Sequence, residues 1–259
     1  MIHIQNLTVG YAQPVLTDIS FSVSPGTVTT IIGPNGCGKT TLLRALAGQL
    51  RPMAGCITLC GKEVGEYERK ELARKLTLLP QVREVPSLTV QTLAEHGRYP
   101  HLGTGRRLTA KDKEKVRKAM AQADVANLAQ LELRELSGGQ RQRAYIAMAL
   151  AQDTELILLD EPTTHLDLNR QFELLTLIKS LQRAGKTIVM VLHDLNHALT
   201  CSDQLVLLQE GRLVQTGTPR QLLGGGQLEQ VFGVQIHETP EGFLFSGKST
   251  PGCGIFSQN

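Results

Sequence analysis

Residues 33–40 read Gly-Pro-Asn-Gly-Cys-Gly-Lys-Thr, the G-x-x-x-x-G-K-[ST] spacing, and no other stretch restricts the fold as strongly. The β-branched run Val28–Ile32 ends where this loop begins, and Leu42, Leu43 and Leu46 continue at helical spacing to Gly48. Strand, glycine turn and helix start, in that order, turn consecutive backbone N–H groups inward as an anion cradle. Lys39 supplies a point charge for the β- and γ-phosphates of a nucleotide, and the Thr40 hydroxyl is positioned for Mg2+. Gly33, Pro34, Asn35, Gly36, Cys37, Gly38, Lys39, Thr40 and the following Thr41 are therefore the candidate nucleotide-binding residues. Cys37 fills a free position of the loop as a small side chain, and a bulky adduct on its thiol is expected to block nucleotide.

The run Leu156-Ile157-Leu158-Leu159 ends in Asp160 and Glu161. Two acids closing a buried strand are costly unless they work on something charged. Asp160 is expected to hold Mg2+, and Glu161 to take a proton from attacking water, a role worth on the order of 10²–10⁴ in rate. A third string, Leu136-Ser137-Gly138-Gly139-Gln140, opens a helix over 140–151. Ser137 and Gln140 have capping-box spacing, and the glycine-bared amides at this helix start form a second anion site. Nothing in the string itself supplies an anion, so its ligand must come from elsewhere.

The remaining pattern is α/β. Val28–Ile32, Leu156–Leu159 and Thr187–Leu192 read as strands buried on both faces of a mostly parallel sheet. Asn169–Arg183 places Phe172, Leu175, Ile178 and Leu181 on one side and stops at Gly185, a helix with one buried stripe. Residues 1–27 pair Ile2, Ile4 and Leu7 with Ile19, Phe21 and Val23 in an antiparallel pattern. From about 83 to 150 strand character vanishes, and Thr89 and Thr109 cap successive helices, which predicts an inserted helical lobe. Leu205–Leu208 and Leu213–Val214, joined through Glu210-Gly211, predict a hairpin. The expected organisation is a nucleotide-binding core over 1–82 and 151–225, a lobe over 83–150, and an uninformative tail over 226–259.

Composition narrows the functional class. Of 259 residues, 41% are hydrophobic and 20% charged, enough for a core without disulfides and against disorder or coiled coils. The longest near-continuous apolar stretch, Ala144 to Ala151, falls far short of the roughly 20 residues of a membrane helix, and the first residues lack signal-peptide character. Five cysteines without a Cys-x-x-Cys pair fit a reducing compartment, so a cytosolic location is expected. The net charge of +3 is too small to argue for nucleic acid. It is uneven: the eight Lys and Arg residues between Arg98 and Lys118 face only Asp112 and Glu114, which predicts either a solvated surface or a docking or phosphate-facing one.

The phosphate loop, Leu-Ser-Gly-Gly-Gln and the Leu-Leu-Asp-Glu strand stand in the order and spacing of an ABC-type ATPase, and the chain resembles that family over roughly residues 1–225. The resemblance implies a P-loop NTPase fold with adenine stacked on Tyr11. It implies that Gln81 touches Mg2+ or the attacking water, and that His193 bonds the γ-phosphate. It places Asp167 at the interface of a homodimer in which Ser137, Gly138, Gly139 and Gln140 of one chain reach the ATP on the other. Gly97-Arg98-Tyr99-Pro100-His101, Glu161-Pro162-Thr163-Thr164-His165-Leu166-Asp167 and His193-Asp194-Leu195-Asn196-His197-Ala198 are similar to importers of iron–siderophore, ferric citrate, haem or cobalamin. Such a subunit would sit on the cytoplasmic face of the bacterial inner membrane with two polytopic permease subunits, served by a periplasmic or lipoprotein substrate-binding protein. Other readings are an ATPase for another small cargo such as cobalamin or a metal ion, or an ATPase acting on nucleic acid or ribosomes. Against the last stand a single phosphate loop and no insertion beyond the lobe. His193 and His197 also have zinc-protease spacing, but with Asp in place of Glu and no third ligand at fixed spacing.

Overall fold

In the computed structural model, residues 1–81, 85–103, 107–164, 166–239 and 242–247 are described. In chain order the elements are β1 (Ile2–Gly10), β2 (Pro14–Val23), β3 (Val28–Ile32), α1 (Lys39–Leu46), β4 (Ala54–Leu59), β5 (Lys62–Glu63), α2 (Arg69–Lys75) and β6 (Leu76–Leu79). There follow α3 (Val90–His96), α4 (Ala110–Gln122), α5 (Gly138–Ala151), β7 (Leu156–Asp160), α6 (Leu168–Arg183), β8 (Thr187–Val191) and α7 (Leu195–Cys201). The chain closes with β9 (Gln204–Gln209), β10 (Arg212–Gly217), α8 (Pro219–Gly224), α9 (Gln227–Phe232), β11 (Val234–Thr239) and β12 (Gly242–Gly247).

Six strands form the central sheet in the order β10-β9-β3-β8-β7-β6. Every pairing from β9 to β6 is parallel, and only β10 runs against its neighbour, through the expected Glu210-Gly211 turn. Strands β3, β7 and β8 are buried at every position, so their uninterrupted apolar or β-branched sequences have a direct cause: each side faces a packed layer. The twofold alternation of side chains divides the core accordingly. Ile31, Leu158, Val189 and Leu208 face a layer made by α1 and the antiparallel sheet. Ile157, Leu159, Ile188, Met190 and Leu207 face the helices α5, α6 and α7.

The antiparallel sheet runs β2-β1-β4-β5. It contains the expected β1–β2 pair, with Ile4 opposite Phe21, and adds β4, which pairs with β1. Helices α3, α4 and α5 pack together through Val90, Leu93, Val116, Met120, Tyr145 and Ile146. The Thr109–Asp112 capping box closes with both of its bonds, and the Thr89 hydroxyl accepts from Thr92 N–H.

Three expectations are corrected. Phe172 lies outside the buried stripe of α6, at 59% exposure, and the stripe is instead Leu174, Leu175, Ile178 and Leu181. Arg98 is not a surface charge: it is buried and pairs with Asp112 at 3.0 Å, while Lys115 pairs with Asp153 and Arg117 with Glu114. Beyond Arg98 the described basic residues of 98–118 lie on the surface: Arg107, Lys111 and Lys113 are exposed, as are Arg117 and Lys118, which pair with Glu114. The tail, unreadable in sequence, folds as far as residue 247 into α9 and the β11–β12 hairpin, whose Ile236 and Phe243 pack on the main core. Arg106, His165 and Cys253, which the sequence reading included, lie outside the described residues.

Candidate functional site

Parallel strands deliver their following loops to one edge of a sheet, and here four do so. From neighbour to neighbour, β3 leads into Gly33, β8 into Leu192-His193, β7 into Glu161 and β6 into Pro80-Gln81. Sheet order thus assembles, side by side, residues that lie up to 160 positions apart in sequence.

Within the phosphate loop, backbone geometry demands glycine at two places. Gly33 has φ of 151°, and a Cβ there would sit 2.2 Å from the Leu208 carbonyl oxygen. Gly38, the N-cap of α1, has φ of 102° and would drive a Cβ to 2.6 Å from Leu16 Cδ2. Lys39 is 5% exposed, and its ammonium donates to the carbonyl oxygens of Gly33 (2.8 Å) and Pro34 (2.9 Å). A buried cation held by carbonyl dipoles favours an arriving anion. Cys37 turns its side chain into the core, where the Sγ lies against Gly33, so its contribution to a ligand is its backbone. Burial pushes its thiol up, with partial offset from the Lys39 charge.

Asp160 is the last residue of β7 and shares a sheet face with Leu156 and Leu158, the face covered by α1. That parity aims it at the start of α1, where its Oδ1 accepts from the Thr40 hydroxyl at 3.1 Å. Burial raises its pKa, with the Thr40 bond opposing. A hydroxyl beside a buried carboxylate is an oxygen donor set that suits a hard divalent cation. Among the described residues no cluster of three His, Cys, Asp or Glu could hold a metal, and His193 precedes the N-cap of α7, so the zinc motif does not form.

Glu161 leaves the strand alternation, with φ of 51°. Its Oε1 lies 2.5 Å from His193 Nε2, and its Oε2 accepts from Gln81 Nε2 at 3.0 Å and from the Thr164 hydroxyl at 3.2 Å. A cleft of about 210 Å³ is lined by Gly36, Lys39, Thr40, Thr41, Glu161 and His193, joined by Asn35, Gly38 and Val15. A second, smaller cleft shares Glu161 and is lined by Gln81, Asp160, Thr164 and Gly138. Val15 was missed in sequence because it belongs to no motif, and Thr164, though quoted within the string over 161–167, was given no role because its contact depends on the turn.

Tyr11, in the β1–β2 turn, is 56% exposed and does not pack on the core; its hydroxyl accepts from Arg44 Nη1 of α1 at 3.0 Å. Ser137 and Gln140 form the capping box of α5, so their side chains are engaged locally while Ser137 and Gly138 remain exposed. None of residues 137–140 lines the cleft at the phosphate loop. Asp167 is the N-cap of α6, accepting from Arg170 N–H at 2.9 Å.

Comparison with known proteins follows the same lines. A family model described as ABC transporter matches residues 16–164. The iron(3+)-hydroxamate import ATP-binding protein FhuC of Bacillus subtilis (strain 168) is 43% identical over 231 residues, 88% of this chain and 86% of that protein. The ferric enterobactin transport ATP-binding protein FepC of Escherichia coli (strain K12) is 43% identical over 234 residues, 89% of this chain and 86% of that protein. Among solved structures, an inward-facing metal-chelate type ABC transporter superposes with a TM-score of 0.82 at 29% identity, covering 96% of this chain and 97% of that one.

Proposed function

We propose that this chain, which belongs to the ABC transporter family, is the ATP-hydrolysing subunit of a bacterial importer that takes up an iron chelate through membrane-spanning partners. The observation that carries the chemistry is Glu161, bonded to Gln81 and His193 beside a buried lysine and a backbone cradle. The observation that supports the cargo is the near-complete alignment with chelate importers.

In this reading the triphosphate of ATP meets the N–H groups of residues 36–41, and Lys39 exchanges its two carbonyl partners for phosphate oxygens. Thr40 and Asp160, with Gln81, would hold Mg2+, which when bound neutralises phosphate charge. Glu161 accepts the proton of the attacking water, and His193 bonds the terminal phosphate. Tyr11, exposed and anchored at its hydroxyl, stacks on adenine. The exposed helix start at Ser137, Gly138, Gly139 and Gln140 binds the phosphates held by a second copy of the chain, and the turn at Asp167 faces that copy. Among the described residues no helix is long and apolar enough to cross a membrane. As in the chelate importers it resembles, the chain acts from the cytoplasmic face on two permease subunits, fed by an external substrate-binding protein.

Two measurements test the proposal. Glu161→Gln should retain ATP binding and reduce turnover by about 10²–10⁴, the range for a lost general base; near-normal hydrolysis would remove Glu161 from that role. Cells carrying the same substitution should lose uptake of radioactive iron presented as ferric citrate or a hydroxamate chelate. Intact uptake of every iron chelate tried, with hydrolysis abolished, would sink the cargo assignment and leave the ATPase standing.

A further inference from the structure

We propose that Thr164 is a positioning residue for Glu161, holding its carboxylate in line while the other two partners of that carboxylate turn to the nucleotide. The inference rests on the reading of Glu161 as the base. Among the described residues three side chains contact this carboxylate, and they come from different places. Gln81 follows β6 and His193 follows β8, and each has a ligand of its own to serve in the proposed reaction. Thr164 stands three residues from Glu161 in the same turn, which a backbone bond from Thr164 N–H to the Glu161 carbonyl oxygen closes at 3.2 Å.

Its hydroxyl reaches Oε2 at 3.2 Å without any movement of the sheet or the lobe. When Gln81 and His193 are drawn to metal and phosphate, the Thr164 hydroxyl is the contact that travels with Glu161. A carboxylate beyond two methylenes, on a residue with φ of 51° past the end of β7, has no strand neighbour to set its direction. Thr164 also lines the small cleft shared by Gln81, Asp160 and Gly138, so its hydroxyl faces the reacting region and not the core.

The test uses the full-length chain and steady-state hydrolysis. Thr164→Val keeps the backbone N–H and the side-chain shape and removes only the donor. It should lower kcat about ten-fold, a partial misalignment set against the roughly 10²-fold that a shift of about 1 Å can cost, with KM for ATP changed less than about two-fold. Thr164→Ser restores the hydroxyl and should recover at least half of the loss. In a Glu161→Gln background the valine should slow the residual rate less than two-fold, because there is no base left to align. Wild-type kcat in Thr164→Val, a serine variant as slow as the valine, or the same ten-fold loss on top of Glu161→Gln would each overturn the inference. Failure of the underlying reading looks different: Glu161→Gln itself would turn over normally. Thermal melts of both variants should match that of the wild type, so that a slow serine variant reports on the inference and not on folding.

Discussion

The thiol of Cys37 is buried in the core beneath the phosphate loop, and burial pushes it away from the reactive thiolate. The expectation that alkylation would inactivate through this residue is therefore replaced by its opposite. With N-ethylmaleimide on the folded protein, Cys60 should be modified first among the four described cysteines and Cys37 should stay unmodified until denaturant is added, as peptide mass spectrometry would read. Rapid modification of Cys37 in native protein would contradict its placement. Gly33 gives the complementary case: a methyl group there would collide with the Leu208 carbonyl, so Gly33→Ala should abolish ATP binding, whereas Cys37→Ala should leave it within a few-fold. At this scale the motif residues were legible because their chemistry depends on spacing along the chain. Lys39, Thr40, Asp160 and Glu161 are read from two short strings. Thr164, Val15 and Arg44 were not, because what they touch is decided by a turn, a neighbouring sheet and a helix face.

Segment 97–102 shows how an element is held by contacts that sequence displays only as charge. Gly97 approaches α5 so closely that a Cβ would lie 2.2 Å from the Met148 carbonyl oxygen. Arg98 then donates to Asp112 of α4 and to the Ala151 carbonyl at the end of α5 (2.8 Å), while Arg74 of α2 donates to the Pro100 carbonyl (2.8 Å). Asp112 is held at about 2, first by the Thr109 hydroxyl and further by the Thr109 N–H and Arg98, against the opposing effect of burial. One carboxylate thus caps α4 and fixes the strap to it. Arg98→Met should cost about 3–5 kcal/mol in urea unfolding, as expected when one partner of a buried pair is removed; an unchanged midpoint would mean that the strap is held by packing alone. His101, in the same strap, has its pKa lowered by burial, although its bond to the Gln152 carbonyl opposes this. A folded value below the ordinary 6.5 means that its contribution is complete above that pH and is lost as pH falls through the folded value. Between pH 7 and pH 5 the wild type should lose more stability than His101→Gln, and equal losses would assign the pH dependence elsewhere. Strands β3, β7 and β8 were legible because they are buried on both sides. Strand β4 was not: it opens Ala54-Gly55, and Gly55 has φ of 73° where the backbone crosses the carbonyls of Gln5 and Asn6. The β11 pattern Val234, Ile236 alternates correctly, but the glycines at 224–226 and 233 obscure it.

At the scale of the molecule, the helix start at residues 137–140 does not complete the phosphate-loop cleft of its own chain, although Gly138 lines the smaller neighbouring cleft that shares Glu161. The cleft at the phosphate loop is lined by Asn35, Gly36 and residues 38–41 with Val15, Glu161 and His193, and none of residues 137–140 lines it. The Ser137 and Gln140 side chains are satisfied within their own capping box, which leaves the backbone at Gly138 and Gly139 to bind an external anion. Two copies related by a twofold axis would bring each helix start to the other's phosphate loop and complete two sites at once. Mixing distinguishes this from a site completed within one chain. In a Glu161→Gln background, which prevents turnover, a Lys39→Ala chain lacks its own phosphate site and a Ser137→Arg chain presents a blocked helix start. The lost cap costs the second variant about 1 kcal/mol, which a folded domain tolerates. Neither variant should associate with itself in ATP. Together they form one intact site, from the phosphate loop of the arginine variant and the helix start of the alanine variant. Sedimentation of the mixture with ATP should therefore show a heterodimer absent from either protein alone. If the mixture stayed monomeric while Glu161→Gln alone dimerised, both sites would have to close together. If Ser137→Arg alone dimerised as readily as its parent, the helix start would have no part in the partner's site, and the second anion site of this chain would need another ligand.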